Sequence, residues 1–188
     1  IDIGAKVMHY PASEQAVEDI NPKIAAAVAQ TWPDIVVGIK SAHYRAEHED
    51  SAHPTWASID GAREAASLCG KCVMADSIPI VPERSYPAIL ARLEPGDIHT
   101  HVFAQQFPLL DGEGKLQPYI LSQRARGIRF DVGHGSGSFW FRQAVNCFEQ
   151  GFWPDTISTD LHHQNVTGPV IDLLYVAGKF LAMGMPLT

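Results

Sequence analysis

Residues 129–150, RFDVGHGSGSFWFRQAVNCFEQ, carry the reading that decides the fold. Residues 129–135 are an apolar run of strand character. Gly133-His134-Gly135-Ser136-Gly137 then turns the chain, and residues 138–150 read as a helix. A strand that feeds directly into a helix is half of a crossover unit, the connection that joins parallel strands. Working outward, the alternation repeats. On the C-terminal side, residues 156–162 read as a strand and 169–183 as a helix. On the N-terminal side, strands at 1–8, 34–41, 71–77 and 97–103 precede helices at 21–32, 56–69, 86–93 and 118–126. The first of these helices has Asn21 at its N-cap and Pro22 in its first turn. Six strand–helix units in succession predict an α/β fold with right-handed crossovers and a parallel sheet.

The C-terminal strand ends hold Lys40, Asp76, His101, His134 and Asp160. In a β/α barrel that edge is the active-site face. Ionisable groups there need a partner or a metal, because desolvation penalises charge. Lys40 closes the strand IVVGIK. Lost hydration favours its neutral amine, which can take up carbon dioxide as a carbamate able to bridge two metals. The plainer reading pairs it with a carboxylate such as Asp76 or Asp160. His99-Thr100-His101 is a His-x-His whose period of two puts both imidazoles on one face, as zinc ligands require. In the plainer reading one ring faces inward and the other fills a gap at the loop end.

Asp160, in STDLH, suits a metal ligand and a base towards a bound water. Otherwise it is a helix cap or an Asx turn. His162 and His163 follow it at once. The GHGSG loop can cradle an anion at a helix N-terminus. It is neither a Walker loop nor the dinucleotide fingerprint, and Gly135 stands where a nucleophile elbow needs serine. Cys69-Gly70-Lys71-Cys72 has no second pair, and Cys147 falls on a helix; all three read as structural. In the acidic, histidine-rich loop 43–53, only His43 is placed near a site, because it lies just beyond Lys40.

Composition excludes several function classes. The chain has 188 residues, 14 Lys plus Arg against 21 Asp plus Glu, and a formal charge of −7. That balance disfavours nucleic acid, whose phosphates call for clustered basic residues. No apolar run reaches the roughly 20 residues that cross a bilayer, so no membrane partner is expected. IDIGAKVMHY lacks the layout of a signal peptide. Three cysteines cannot build a disulfide framework, so a reducing, cytoplasmic setting is expected.

VVGIKSAHY, LEPGDIHTHVF, RARGIRFDVGHGSGSFWFRQA, GFWPDTISTDLH and KFLAMGMPL occur in this order over nearly the whole chain. Together they resemble the amidohydrolase superfamily, and within it the amidohydrolase/deacetylase branch, often labelled dihydroorotase-like. The resemblance implies a TIM (β/α)8 barrel with one or two divalent metal ions, usually zinc, at the strand ends. It implies that Lys40 is the carboxylated lysine of strand 4, that His101 is the strand 6 ligand, and that Asp160 is the strand 8 ligand and general base. His134, in the glycine-rich strand 7 loop, is placed at the substrate, with His43 and His162 as further substrate-binding candidates. His99 is not the expected ligand, since relatives often carry Tyr there. Asp76 departs from the usual strand 5 histidine, and some relatives resemble VMVD, which makes Asp76 a carboxylate ligand. The His-x-His of strand 1 has no counterpart.

A full barrel takes about 250 residues, or roughly 31 per strand–helix unit. At that rate the 188 residues hold about six units, matching the six counted above. The expectation is therefore one catalytic domain, 1–188, built as an incomplete barrel with strands 3 to 8 present. The function expected is metal-dependent hydrolysis of an amide or ester bond in a small molecule, with Asp160 as general base. Two alternatives stand beside it. One is a barrel lyase or isomerase with Lys40 as Schiff base and GHGSG on a phosphate. The other is a catalytically incomplete fragment or binding module. The exposed seam of an incomplete barrel would favour self-association, leaving a homo-oligomer open.

Overall fold

A computed structural model describes residues 1–4, 15–42, 44–45, 54–79 and 83–186. The chain divides into two compact units, 1–98 and 99–188. The first contains α1 (Pro22–Thr31), β1 (Gly38–Ala42), α2 (Ala57–Cys69), β2 (Cys72–Asp76) and α3 (Tyr86–Arg92). The short β3 (Ile98–His99) spans the boundary in sequence. The second contains α4 (Pro118–Arg126), β4 (Arg129–Phe130), α5 (Phe141–Glu149) and α6 (Leu173–Ala182).

In the first unit, α1 starts where the sequence places it. The Asn21 side chain accepts the Ile24 N–H at 3.1 Å, and Pro22 has no N–H to leave unsatisfied. The helix buries Ala25, Ala26 and Ala29, and it packs on α2, which buries Ala62, Ala65 and Ala66. Small side chains on both faces let the two backbones approach. Below them β1 and β2 run parallel, with Lys40 opposite Met74 and Ala42 opposite Asp76. The expected strand at 1–8 contributes a single parallel bridge, Asp2 to Lys40; its residues 5–8 lie outside the described residues.

Two buried charges tie the loops of this unit. The Arg84 guanidinium, 1% exposed, donates to the carbonyls of Ile78, Thr55 and Tyr44 at 3.0, 2.8 and 2.6 Å. Burial pulls its pKa down to about 10, still well above neutrality, so it remains a cation. The Asp97 carboxylate accepts the N–H groups of Val73 and Glu94, each at 2.8 Å, and Arg63 at 3.0 Å. Carboxylate acceptors fixed by backbone donors hold the turn that enters β3.

The second unit is built on aromatic rings. Phe103 meets Phe148 edge-on at 5.3 Å, and Phe130 meets Phe152 edge-on at 5.3 Å. Such pairs add about 1 kcal/mol each beyond their burial. His99 belongs to this core: it is fully buried, with its ring edge-on to Phe107 at 4.6 Å.

Three expected strands are shortened, and that at 129–135 keeps only β4 and the bridge at Asp131. The strand at 97–103 keeps only β3, because the backbone leaves extended geometry at His101, where φ is +58°. The period-two argument for two imidazoles on one face therefore fails. His99 goes to the core, and His101 takes its own path. The strand at 156–162 is reduced to one parallel bridge, Asp131 to Thr156. The last helix begins at Leu173 rather than at 169, because the Asp172 carboxylate takes the Tyr175 N–H at 2.7 Å and sets the N-cap there. Among the described residues, no helix is long and apolar enough to cross a membrane.

Candidate functional site

In the first unit, β1 and β2 bring two of the sequence-selected residues together. Lys40 Nζ lies 3.7 Å from Asp76 Oδ2, with the lysine side chain 33% exposed and the aspartate 7%. This is the charge pairing of the plainer reading. It also joins the two residues of this unit that the family resemblance names as metal ligands. His43 lies outside the described residues.

The second unit holds His101, His134, Asp160 and His162. His101 is buried, and its Nδ1 stands 2.5 Å from the Gly133 carbonyl. A carbonyl only accepts, so Nδ1 carries a proton. Metal-binding histidines show this arrangement, with the second nitrogen held by a carbonyl or carboxylate. The donor chemistry of His101 thus fits a metal. Gly133 is the residue that makes the contact fit: a methyl group there would lie 2.5 Å from His101 Nδ1 and closer still to Thr100 Oγ1, at a φ of +45°.

Asp160 is exposed, with φ +48°. Its Oδ2 would lie 2.7 Å from a methyl group at Gly135. Among the described non-glycine residues, positive φ occurs at His101, Asp160 and Ile171. Such backbones cost about 1–3 kcal/mol each and persist where surrounding structure over-determines them, often at functional sites. Two of the three are residues that the sequence selects for chemistry. Behind Asp160, the buried Asn165 donates its Nδ2 to the Asp160 carbonyl at 2.8 Å and accepts the His162 N–H at 2.9 Å. Asn165 therefore sets the path of the loop that presents both residues.

His134 is 3% exposed and stacks on Phe139 at 4.7 Å between ring centroids. Lys179, on α6, donates to His134 Nε2 at 2.9 Å, and the ring's Nδ1 donates to the Gly135 carbonyl at 2.9 Å. Lys179 also donates to the Pro169 carbonyl. Burial first, then the Lys179 charge, pull the His134 pKa below the ordinary 6.5, against an opposing contribution from the Gly135 carbonyl. Burial also lowers the Lys179 pKa. The His134 ring thus accepts at Nε2 from the Lys179 side chain.

A pH dependence follows from the sign of the His134 shift. Above pH 6.5 the imidazole is neutral in both states, and stability is complete. As pH falls below 6.5 the unfolded chain binds its proton first, so stability declines towards the lower folded pKa. His134→Gln is expected to flatten that acid-side decline in urea midpoints. An identical acid-side slope in the variant and the parent would contradict this.

Three amides of the glycine-rich loop are engaged within the unit and do not face an anion. Gly133 N donates to Ser158 Oγ, His134 N to the Ser158 carbonyl, and Gly135 N to the Thr159 carbonyl. These amides are occupied within the unit, and α5 begins only at Phe141. His162 Nδ1 accepts the Gln164 N–H at 3.2 Å, and its Nε2 faces Ser136 Oγ at 3.4 Å. Cys147 is buried, which pushes its thiol up to about 12 and leaves it inert, as the structural reading expects.

Among the described residues, no group of three or more His, Cys, Asp or Glu stands as a metal cluster. The sequence reading missed Lys179 and Asn165, which act on His134 and Asp160 from distant or following positions. It also passed over Asp131, a carboxylate between Phe130 and Val132. A buried acid in an apolar run was itself a signal, since such a charge requires partners.

No family model matches the chain. Over 109 residues, 56% of this chain and 26% of the relative, it is 38% identical to a deacetylase of Brucella anthropi. Its structure superposes on that of an adenine deaminase with a TM-score of 0.84 and 24% identity, covering 100% of this chain and 50% of the other. On a dihydroorotase the TM-score is 0.73 with 27% identity, covering 93% of this chain and 47% of the other. The match to the deacetylase spans about a quarter of that relative's length, and each solved structure is matched over about half of its own. The α/β fold expected from the sequence, a part of a (β/α)8 barrel, is the one these structures share.

Proposed function

We propose that the chain is a member of the amidohydrolase superfamily and serves the hydrolysis of an amide or ester bond in a small molecule, a reading supported by its likeness to a deacetylase and a dihydroorotase. The observation that carries the reading is His101: a strained, buried imidazole whose Nδ1 is committed to the Gly133 carbonyl, the arrangement that metal-binding histidines show. The proposed metal ligands are those that the family resemblance implies, Lys40, Asp76, His101 and Asp160, for one or two divalent ions, zinc being the usual choice for such donors. When bound, the metal supplies Lewis acidity that polarises the scissile carbonyl and acidifies water.

The remaining chemistry falls to the chain's own residues. Asp160 takes the proton of the attacking water and returns it to the leaving nitrogen or oxygen, a role that its exposed carboxylate supports. Carbamate formation on Lys40 joins its nitrogen to carbon dioxide and releases a proton. Lys40 then faces Asp76 as one anion to another. A divalent cation satisfies such a pair as the ammonium does now, so these residues fit the metal as well. His134 and His162 are the proposed substrate-side residues, His134 with its ring fixed by Lys179 and the Gly135 carbonyl and His162 beside Ser136.

The names of the deacetylase and the dihydroorotase support acyl compounds or cyclic amides as the substrate class. A cytoplasmic location belongs to the same proposal. The Schiff-base alternative draws less support, because the amides it needs for a phosphate are already bonded. Assays of the full-length protein with zinc against N-acyl amino acids, acyl esters and cyclic amides test the reading. Turnover of at least one class is expected, and silence across all three would overturn it.

A further inference from the structure

We propose that Asp131 is the positioning residue that sets both metal-ligand candidates of the second unit, a proposal that rests on the metal-hydrolase reading above. Asp131 is 2% exposed. Its Oδ1 accepts the Thr156 hydroxyl at 2.6 Å, and its Oδ2 accepts those of Thr100 at 2.7 Å and Ser158 at 2.6 Å. The three donors come from two separate segments, one leading to His101 and the other to Asp160. Thr100 directly precedes His101, and Ser158 stands two residues before Asp160. Ser158 Oγ in turn accepts the N–H of Gly133, whose carbonyl receives His101 Nδ1. One carboxylate therefore reaches His101 by two routes and the Asp160 loop by a third.

The backbone explains why a side chain does this work. Asp131 N donates to the His99 carbonyl and Val102 N to the Asp131 carbonyl. The ladder thus steps over residues 100 and 101. On the other side, Asp131 bridges to Thr156, and backbone bonds run on from Val132 N to the Thr156 carbonyl, His134 N to that of Ser158 and Gly135 N to that of Thr159. Where the ladder stops, both His101 and Asp160 leave it with positive φ. Bonds to an ionised acceptor are shorter and stronger than neutral ones. Three of them supplement the ladder where the strained residues must be held. A carboxamide at position 131 would offer one acceptor oxygen and an N–H group in place of two acceptors.

The test is zinc affinity, measured by competition with a chromogenic chelator on the full-length protein. Thr100→Val and Ser158→Ala each delete one hydroxyl and keep Asp131. Each is expected to weaken zinc by about 10-fold, and Asp131→Asn by up to about 100-fold, the range for partners of metal ligands. Thr100→Ser restores the hydroxyl and is expected to restore affinity. A merely structural role would lower the unfolding midpoint of these variants and leave zinc affinity at the parent value, which would overturn the proposal alone. Parent protein that holds no zinc would overturn the metal reading and this proposal with it. Thr100→Val keeps the test decisive should Asp131→Asn fail to fold.

Discussion

Asp160→Asn in the full-length protein is expected to lower kcat by about 10²–10⁴-fold, the span that a positioned general base contributes. Asparagine keeps the size and one oxygen of the side chain, and it cannot take up a proton at neutral pH. The backbone around it is held independently of its carboxylate. Asn165 binds the Asp160 carbonyl, and Gly135 N donates to the Thr159 carbonyl. The variant is therefore expected to fold and to bind substrate with a KM near that of the parent. Loss of kcat without loss of fold separates the role of base from that of scaffold. Turnover equal to the parent's would show that the proton goes elsewhere.

Gly133→Ala is the second large effect. The added methyl group would lie 2.5 Å from His101 Nδ1 and closer to Thr100 Oγ1, in a left-handed backbone that side chains rarely adopt. Neither neighbour can yield freely. His101 is bound to the Gly133 carbonyl, and Thr100 is bound to Asp131. The strain is expected to cost about 1–3 kcal/mol. Displacing His101 by a fraction of an ångström is expected to cost turnover about 10²-fold. Gly137→Ala, in the same loop, is the control: nothing lies within 4 Å of its added methyl group. Near-parent kcat is expected there. Equal losses at 133 and 137 would show that the loop tolerates no side chain anywhere and would remove the specific link to His101.

The helices were the legible part of the fold. Asn21 with Pro22, Ser85 before α3, and Pro118 at the start of α4 are local signals, and each helix begins within a residue of them. The strands were legible in order but not in extent. Their ends are decided by His101 and Asp160 turning left-handed, which alternation of apolar and polar residues does not encode.

The same limit governs the site. Lys40 and Asp76 could be paired from sequence, because they carry opposite charge on neighbouring parallel strands, although β1 runs two residues beyond Lys40 to Ala42. The linkage of Lys179 to His134 spans 45 positions and had no local sign. Asp131 had one, a charge inside an apolar strand. Its partners at 100, 156 and 158 become visible only once the fold brings those hydroxyls to it.

Metal removal tests the central claim most directly. Full-length protein treated with a chelator and desalted is expected to lose hydrolysis of its acyl or cyclic-amide substrate and to regain it on stoichiometric addition of zinc. Its far-ultraviolet circular dichroism should stay unchanged throughout. Chelated protein that carries no measurable metal and still turns over at the parent rate would contradict the account.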